Sequence, residues 1–465
     1  MSQLNDRERE FFSSTDSLDA PPVVGRSTPL DSSHRAPLPP ELDVTPPEPS
    51  PPPAGRTSTF AALSVRRYRH LWYGGLFSFL AVQMQVIARG ALAWDLTHSN
   101  SALGFVMFGF GLPMLLLTPM AGVAADRLPK RTVIILSQWL LAVSAFLVAL
   151  ALVFDVMAFW MLVASSVAQA ASFAFLGPSR MAFTGELVGR KLLSNAVVLQ
   201  QMSMNGTRVF GPAAAGMLIG VTWFGYAGVY FSTAALTLIA SAFTYSLPPG
   251  NPPPNKEARK PMQDFADGLR YVRANPNLML LLLVSLAVIV GAFPYISFLP
   301  TLAKDIYERG DTGYGFMSGA TAIGAVLASL FIASRSGGPN AWRIQAFAGL
   351  MFGVGLIVLA VAPTFGLTLV ILTVVGGSTS AFQSLNNTMV LMGSEMAYHG
   401  RMQSLMSLTF SGFGLMALPI GVVADAIGLR ATFAIMGSFT SSVMVLYFFI
   451  RPRIERRYPM TSIVD

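Results

Sequence analysis

Gln201, Asn205 and Arg208 fall at i, i+4 and i+7, a spacing that sets three hydrogen-bonding side chains on one face of a helix. Gln85 and Arg89 repeat the i, i+4 interval, while Gln169, Gln383 and Asn386 stand inside otherwise apolar runs. Amides and guanidinium groups exchange hydrogen bonds and attract anions, but they supply neither a nucleophile nor a base. No Ser/His/Asp arrangement or phosphate-cradling glycine loop accompanies them. The chain has no cysteine, and its four histidines (His34, His70, His98, His399) have no metal-ligand spacing, so neither a cofactor nor an enzyme is expected. The chemistry on offer is recognition. The residues would line a path for a small molecule, or form interhelical hydrogen bonds instead.

The elements that must carry these residues are membrane helices. Of 465 residues, 53% are hydrophobic and only 12% charged, about half the charged share of an ordinary soluble protein. Twelve apolar runs of helical length lie near 71–93, 101–123, 132–153, 157–177, 195–220, 225–246, 277–299, 313–334, 342–361, 366–390, 402–424 and 430–450. The expected fold is all-α and integral to the membrane, with twelve transmembrane helices as two six-helix repeats. The bundles would be 64–246 and 276–451, joined by a cytoplasmic loop over 247–275. Residues 1–63 read as a disordered, proline-rich cytoplasmic tail, and 452–465 as a second cytoplasmic tail.

Charge orients the chain. Residues 1–60 hold 5 Arg and 9 Asp/Glu, which leaves 26 basic and 14 acidic residues for the rest. With the N-terminus inside, 21 Lys/Arg fall on the cytoplasmic side, including Arg66, Arg67, Arg69, Arg180, Arg190 and Lys191. Only Lys304, Arg309 and Arg430 fall outside. The expected location is the plasma (inner) membrane, with both termini cytoplasmic. The basic residues form no stripe with exposed aromatics, so nucleic acid is not expected as a partner. The lipid bilayer and a small-molecule substrate are, with the chain a monomer.

Between the second and third runs stands Gly122-Val-Ala-Ala-Asp126-Arg127-Leu-Pro-Lys130-Arg131. Gly122 permits close helix approach, and a carboxylate at Asp126, beside a helix end and three cations, can make charge-assisted bonds to a neighbouring helix. The alternative is a topogenic positive cluster. Here the sequence resembles the major facilitator superfamily over roughly residues 64–452. That likeness implies a gating latch at Gly122, Asp126, Arg127, Lys130 and Arg131, which stabilises one orientation of the two halves. The matching loop of the second half has no aspartate. The fifth run carries Asn205-Gly206-Thr207-Arg208-Val-Phe-Gly211-Pro212-Ala-Ala-Ala-Gly216 and resembles the antiporter motif of drug exporters in that superfamily. Pro212 would kink the helix, while Gly206, Gly211 and Gly216 would permit tight packing.

The opening Tyr68-Arg69-His70-Leu71-Trp72 and the exit Ala91-Leu92-Ala93-Trp94 resemble the enterobactin-exporter-like branch. The resemblance implies a secondary transporter that exports amphiphilic, drug- or siderophore-like molecules. Import of an anionic solute, or a non-transporting sensor or assembly role, stays open. Protons are a candidate coupling ion, yet no acidic residue lies mid-run. Asp95 is the candidate for that role, paired through a local bend with Arg89; an interfacial helix-end carboxylate is the alternative.

Overall fold

The computed structural model describes residues 60–221, 223–250, 261–333, 340–395 and 398–457. Among them, ten helices are long and apolar enough to cross a membrane, and Ser411–Ile427 is a shorter apolar one. The remaining crossing lies in the helical run Phe159–Ile219, where Gly189 (φ 68°, ψ 174°) alone leaves helical dihedrals. In chain order the spans are Arg66–Thr97 (span 1), Asn100–Arg127 (2), Lys130–Val153 (3), Phe159–Gly189 (4), 190–219 (5) and Gly225–Tyr245 (6). The second half supplies Pro276–Ile306 (7), Gly310–Ala333 (8), Ala341–Val361 (9), Phe365–Met392 (10), His399–Ile427 (11) and Leu429–Arg457 (12). A helix satisfies its backbone polar groups within itself, which is what a bilayer demands of a spanning segment.

The halves repeat their packing. Spans 1 and 3 lie against span 6, and spans 7 and 9 lie against span 12. The two halves meet where span 2 crosses span 11 and where span 5 contacts span 8. We call the side holding Arg66, Arg67, Lys130 and Arg131 the basic face, and the other the far face.

Three details go beyond the sequence expectations. Residues 178–194, which fall between two apolar runs of the sequence, are helical apart from Gly189, and Arg180 is buried within span 4. Its Nη2 donates to the Leu71 carbonyl (3.1 Å) and its guanidinium lies 5.3 Å from the Phe79 ring centre. The stretch 247–275 contains a helix, Pro261–Ala274, whose Tyr271 stacks on Tyr398 with centroids 4.0 Å apart. The tail boundary at 63 falls inside a 3-10 turn, Ala61–Ser64, that docks on span 5 through Ala62 N–H to Asn195 Oδ1 at 2.8 Å. Residues 1–59 lie outside the described residues.

Candidate functional site

The polar face of span 5 is the natural starting point. Gln201 and Arg208 are exposed, while Phe210 and Met217 project from the opposite side of the same helix. A polar and an apolar exposed face on one helix cannot both meet lipid. The apolar face suits lipid, and the polar face suits a polar space inside the bundle. Arg208 has no hydrogen-bond or ion-pair partner among the described residues. Asn205 lies on this helix, with its side chain outside the described residues.

Further along span 5 the same space closes. A Cβ on Gly216 would sit 2.7 Å from Gly315 Cα, so spans 5 and 8 touch backbone to backbone. Span 2 meets span 11 in the same way at Gly111 and Gly414. The halves are therefore in backbone contact toward the far face, and Gln201 and Arg208 are exposed on the stretch of span 5 nearer the basic face; we refer to that stretch as the gap. Pro212 sits inside span 5 without non-helical dihedrals, and Gly211 packs on the Gln83 side chain. Gly206 departs from expectation: a Cβ there would meet nothing within 4 Å, so it is no packing glycine. Gly216→Val is expected to force spans 5 and 8 apart at a cost of about 1–3 kcal/mol, read as a lower thermal midpoint, whereas Gly206→Ala should leave that midpoint unchanged.

Gln85, Gln169 and Arg89 converge. Gln85 Nε2 donates to Ser165 Oγ (3.1 Å), Gln169 Nε2 to Gln85 Oε1 (3.4 Å), and Arg89 Nη2 to Gln169 Oε1 (2.5 Å). All three are buried in the first half, at the closed end of the gap. Gln383 is half-buried on span 10. Asn386 turns elsewhere: its Oδ1 accepts from Gln345 Nε2 (2.9 Å), whose Oε1 accepts from Tyr447 (2.8 Å), itself bonded by Arg451 (3.1 Å). That chain ties spans 9, 10 and 12 together inside the second half and does not line the gap.

The Asp95–Arg89 pair does not form, because span 1 is an unbroken helix and residues six apart do not meet on it. Asp95 Oδ1 accepts instead from Lys304 Nζ (2.6 Å), which also reaches Asp311 Oδ1 (2.6 Å). Tyr226 Oη lies 2.5 Å from Asp95 Oδ2 and 2.8 Å from Asp311 Oδ1. Spans 1 and 6 are thus latched to spans 7 and 8 at the far face. A second latch is Asp425, at the end of span 11. It accepts from Ser99 Oγ (2.8 Å), Asn100 N–H (2.7 Å), Asn100 Nδ2 (3.0 Å) and Ser101 N–H (2.8 Å), the N-terminus of span 2. Sequence reasoning assigned no pairing role to Asp425, Lys304, Asp311 or Tyr226. A signal existed for the first: Gly421-Val-Val-Ala-Asp425 repeats Gly122-Val-Ala-Ala-Asp126. Gly421 packs on the Asn100 carbonyl, so glycine admits the helix and aspartate caps its end.

At the basic face Lys130 bonds Glu186 (3.0 Å), and Arg131 donates to the Leu247 (Nη1, 2.8 Å) and Pro249 (N–H, 3.2 Å) carbonyls. These contacts stay within the first half. Gly122, Asp126 and Arg127 end span 2, but their surroundings and side chains lie outside the described residues.

Known proteins share this arrangement. The family model described as a transmembrane secretion effector matches residues 57–461. The multidrug efflux pump Tap of Mycolicibacterium fortuitum is 29% identical over 351 residues, 73% of this chain and 85% of Tap. An enterobactin exporter of Shigella flexneri is 26% identical over 347 residues, 73% of this chain and 80% of the exporter. In fold, a bacterial homologue of the human lysosomal transporter Spinster superposes with a TM-score of 0.66 at 15% identity, over 83% of this chain and 97% of that one. A match across residues 57–461, on a bundle of two six-helix repeats, decides the matter: the chain belongs to the transmembrane secretion effector family of major facilitator transporters, of the efflux type.

Proposed function

We propose that the protein exports amphiphilic small molecules, drug-like or siderophore-like, by alternating access. The basic face is cytoplasmic, as the excess of Lys and Arg there requires, and both termini lie on that side. Substrate enters the gap from the cytoplasm, where Arg208 and Gln201 on span 5 and Gln383 on span 10 meet it. The observation that carries this reading is the polar face of span 5, exposed toward the cytoplasmic side and sealed by Gly216 and Gly315 toward the other. The halves then rock about a site between them, the far-face latches part, and the substrate leaves outside. Asp126 and Arg127 hold the opposite, outward-open arrangement closed on the cytoplasmic side.

Protons are the coupling ion in this reading, with Asp95 as the carboxylate that takes them. It faces the outside and holds the two halves together through Lys304, so protonating it weakens a latch that must open. The chain works as a monomer.

The test is transport in proteoliposomes with imposed pH and voltage gradients, using a panel of fluorescent dyes. Dye should move out of the compartment that the basic face contacts, faster when the opposite side is acidic. Uptake in the reverse direction, or a rate indifferent to both gradients, would overturn the export and coupling assignments respectively.

A further inference from the structure

Arg89 brings a positive charge into the closed end of the gap and meets no negative charge there. It is 1% exposed and heads the largest fully buried side chains among the described residues. Only its Nη2 is bonded, to Gln169. Nε and Nη1 carry three of the five guanidinium N–H groups, and neither has a partner. The polar groups that interact with it are neutral. These are Gln85 on span 1, Ser165 and Gln169 on span 4, Tyr230 on span 6 and Tyr314 on span 8. The Tyr230 hydroxyl is likewise buried without a partner.

The neighbouring amides do not relieve this. Ser165, Gln85 and Gln169 are linked end to end, and the chain of bonds stops at the guanidinium. Its effect is to orient Arg89, with one nitrogen held and two left to point elsewhere. Arg180, the other buried arginine of the first half, is a useful contrast. It also has unbonded nitrogens, but it rests on the Phe79 ring and on the Leu71 carbonyl. Among the described residues Arg89 has neither a ring face nor a backbone carbonyl. Buried donors of a charged group are costly to leave unmade, more so than neutral ones. An oriented cation with free N–H groups, beside a free hydroxyl and with no carboxylate in reach, has the composition of an anion receptor.

We propose that Arg89, positioned by Gln169 and Gln85 and joined by the Tyr230 hydroxyl, binds one oxyanion of the transported molecule, a carboxylate in the simplest case. The proposal rests on reading the chain as a transporter and narrows its substrates to molecules with such a group. The receptor is shut in the arrangement described here. The Tyr314 hydroxyl of the second half lies where a Cβ on Gly90 would come within 3.0 Å of it, and Gly216 and Gly315 seal the seam alongside. An anion reaches Arg89 when the second half draws away from span 1, so binding favours the arrangement in which the seam is parted. Arg208 then meets substrate at the open end of the gap, and Arg89 holds its anionic group at the closed end.

Binding to the full chain in nanodiscs tests this without measuring transport, using benzoate and its uncharged isostere benzamide as probes. Benzoate should raise the thermal unfolding midpoint in a saturable way, and benzamide should not. Arg89→Gln should weaken the apparent benzoate affinity at least tenfold. Arg343→Gln, which removes the same charge from the exposed side of span 9, should leave it unchanged. Tyr230→Phe removes only the unpartnered hydroxyl and should weaken benzoate severalfold, which keeps the proposal testable even if Arg89→Gln fails to fold. Equal stabilisation of the wild-type protein by both probes overturns the proposal. So does a benzoate response undiminished in either Arg89→Gln or Tyr230→Phe. Direction and ion coupling play no part in the readout, so their failure in proteoliposomes and failure here are separable.

Discussion

Asp425→Ala is expected to loosen the far face of the protein. The carboxylate accepts four hydrogen bonds from the first residues of span 2, two of them from backbone N–H groups. It also places a negative charge at the positive end of that helix. Asp425 is exposed at the rim although Asn100 is buried, so the cap is worth about 1–2 kcal/mol rather than the larger value of a buried ion pair. A change of that size moves a two-state equilibrium by roughly 5- to 30-fold. Cysteines engineered below the latch should become reactive to impermeant reagents from the far side. Asp425→Asn should fall between, since it keeps an acceptor oxygen but loses the charge. The substitution leaves the main hydrophobic core, which runs through both halves, untouched, so expression should hold. Wild-type reactivity in Asp425→Ala would show that the Lys304 latch or the glycine contacts alone keep the seam shut.

Arg208 carries the second large effect. Its side chain is exposed in the gap and bonded to nothing among the described residues. Asp95, a conceivable distant partner, is already held by Lys304 and Tyr226. Removing Arg208 therefore strands no buried group, and Arg208→Ala should express and melt like the wild type. Substrate affinity should fall by about 10- to 100-fold, the range for losing a charge-assisted hydrogen bond of roughly 1.5–3 kcal/mol. Arg208→Lys keeps the charge and loses the planar fork, so it should recover part of the affinity and alter the preference among substrates. Loss of folded protein in Arg208→Ala, with all substrates affected alike, would mark the residue as structural. Normal transport of every substrate would remove it from the site.

The parts of this molecule that were legible in the sequence are those a bilayer enforces locally. Run length and the position of Lys and Arg are set by lipid and water, not by distant residues, so spans and repeats could be read directly. Pairing could not. Asp95 meets Lys304 and Tyr226 across 209 and 131 positions of sequence, and no local rule selects those partners over Arg89, six residues away. Asn386 and Gln383 share a helix, yet only Asn386 is drawn into the bonds to Gln345. Gly206 and Gly216 are the same letter in the same motif, and ten residues of helix turn them to different sides. One faces open space and the other faces Gly315. Arg180 looked topogenic because charge is counted without regard to where a side chain folds. Asp425 is the instructive miss, since its Gly-x-x-x-Asp pattern was present and only its repetition went unread.

The glycine contacts of the seam bear on where its kinetic barrier lies. At Gly111 with Gly414, and at Gly216 with Gly315, the halves touch through bare backbone. At those two contacts backbone meets backbone, so parting them breaks no side-chain hydrogen bond. Resistance to opening is concentrated at Asp425 and around Lys304, at the far-face rim where water and dissolved ions arrive first. The seam thus behaves as a smooth bearing fastened at its edge, and the ionic composition of one compartment, rather than the lipid around the helices, governs how readily it turns.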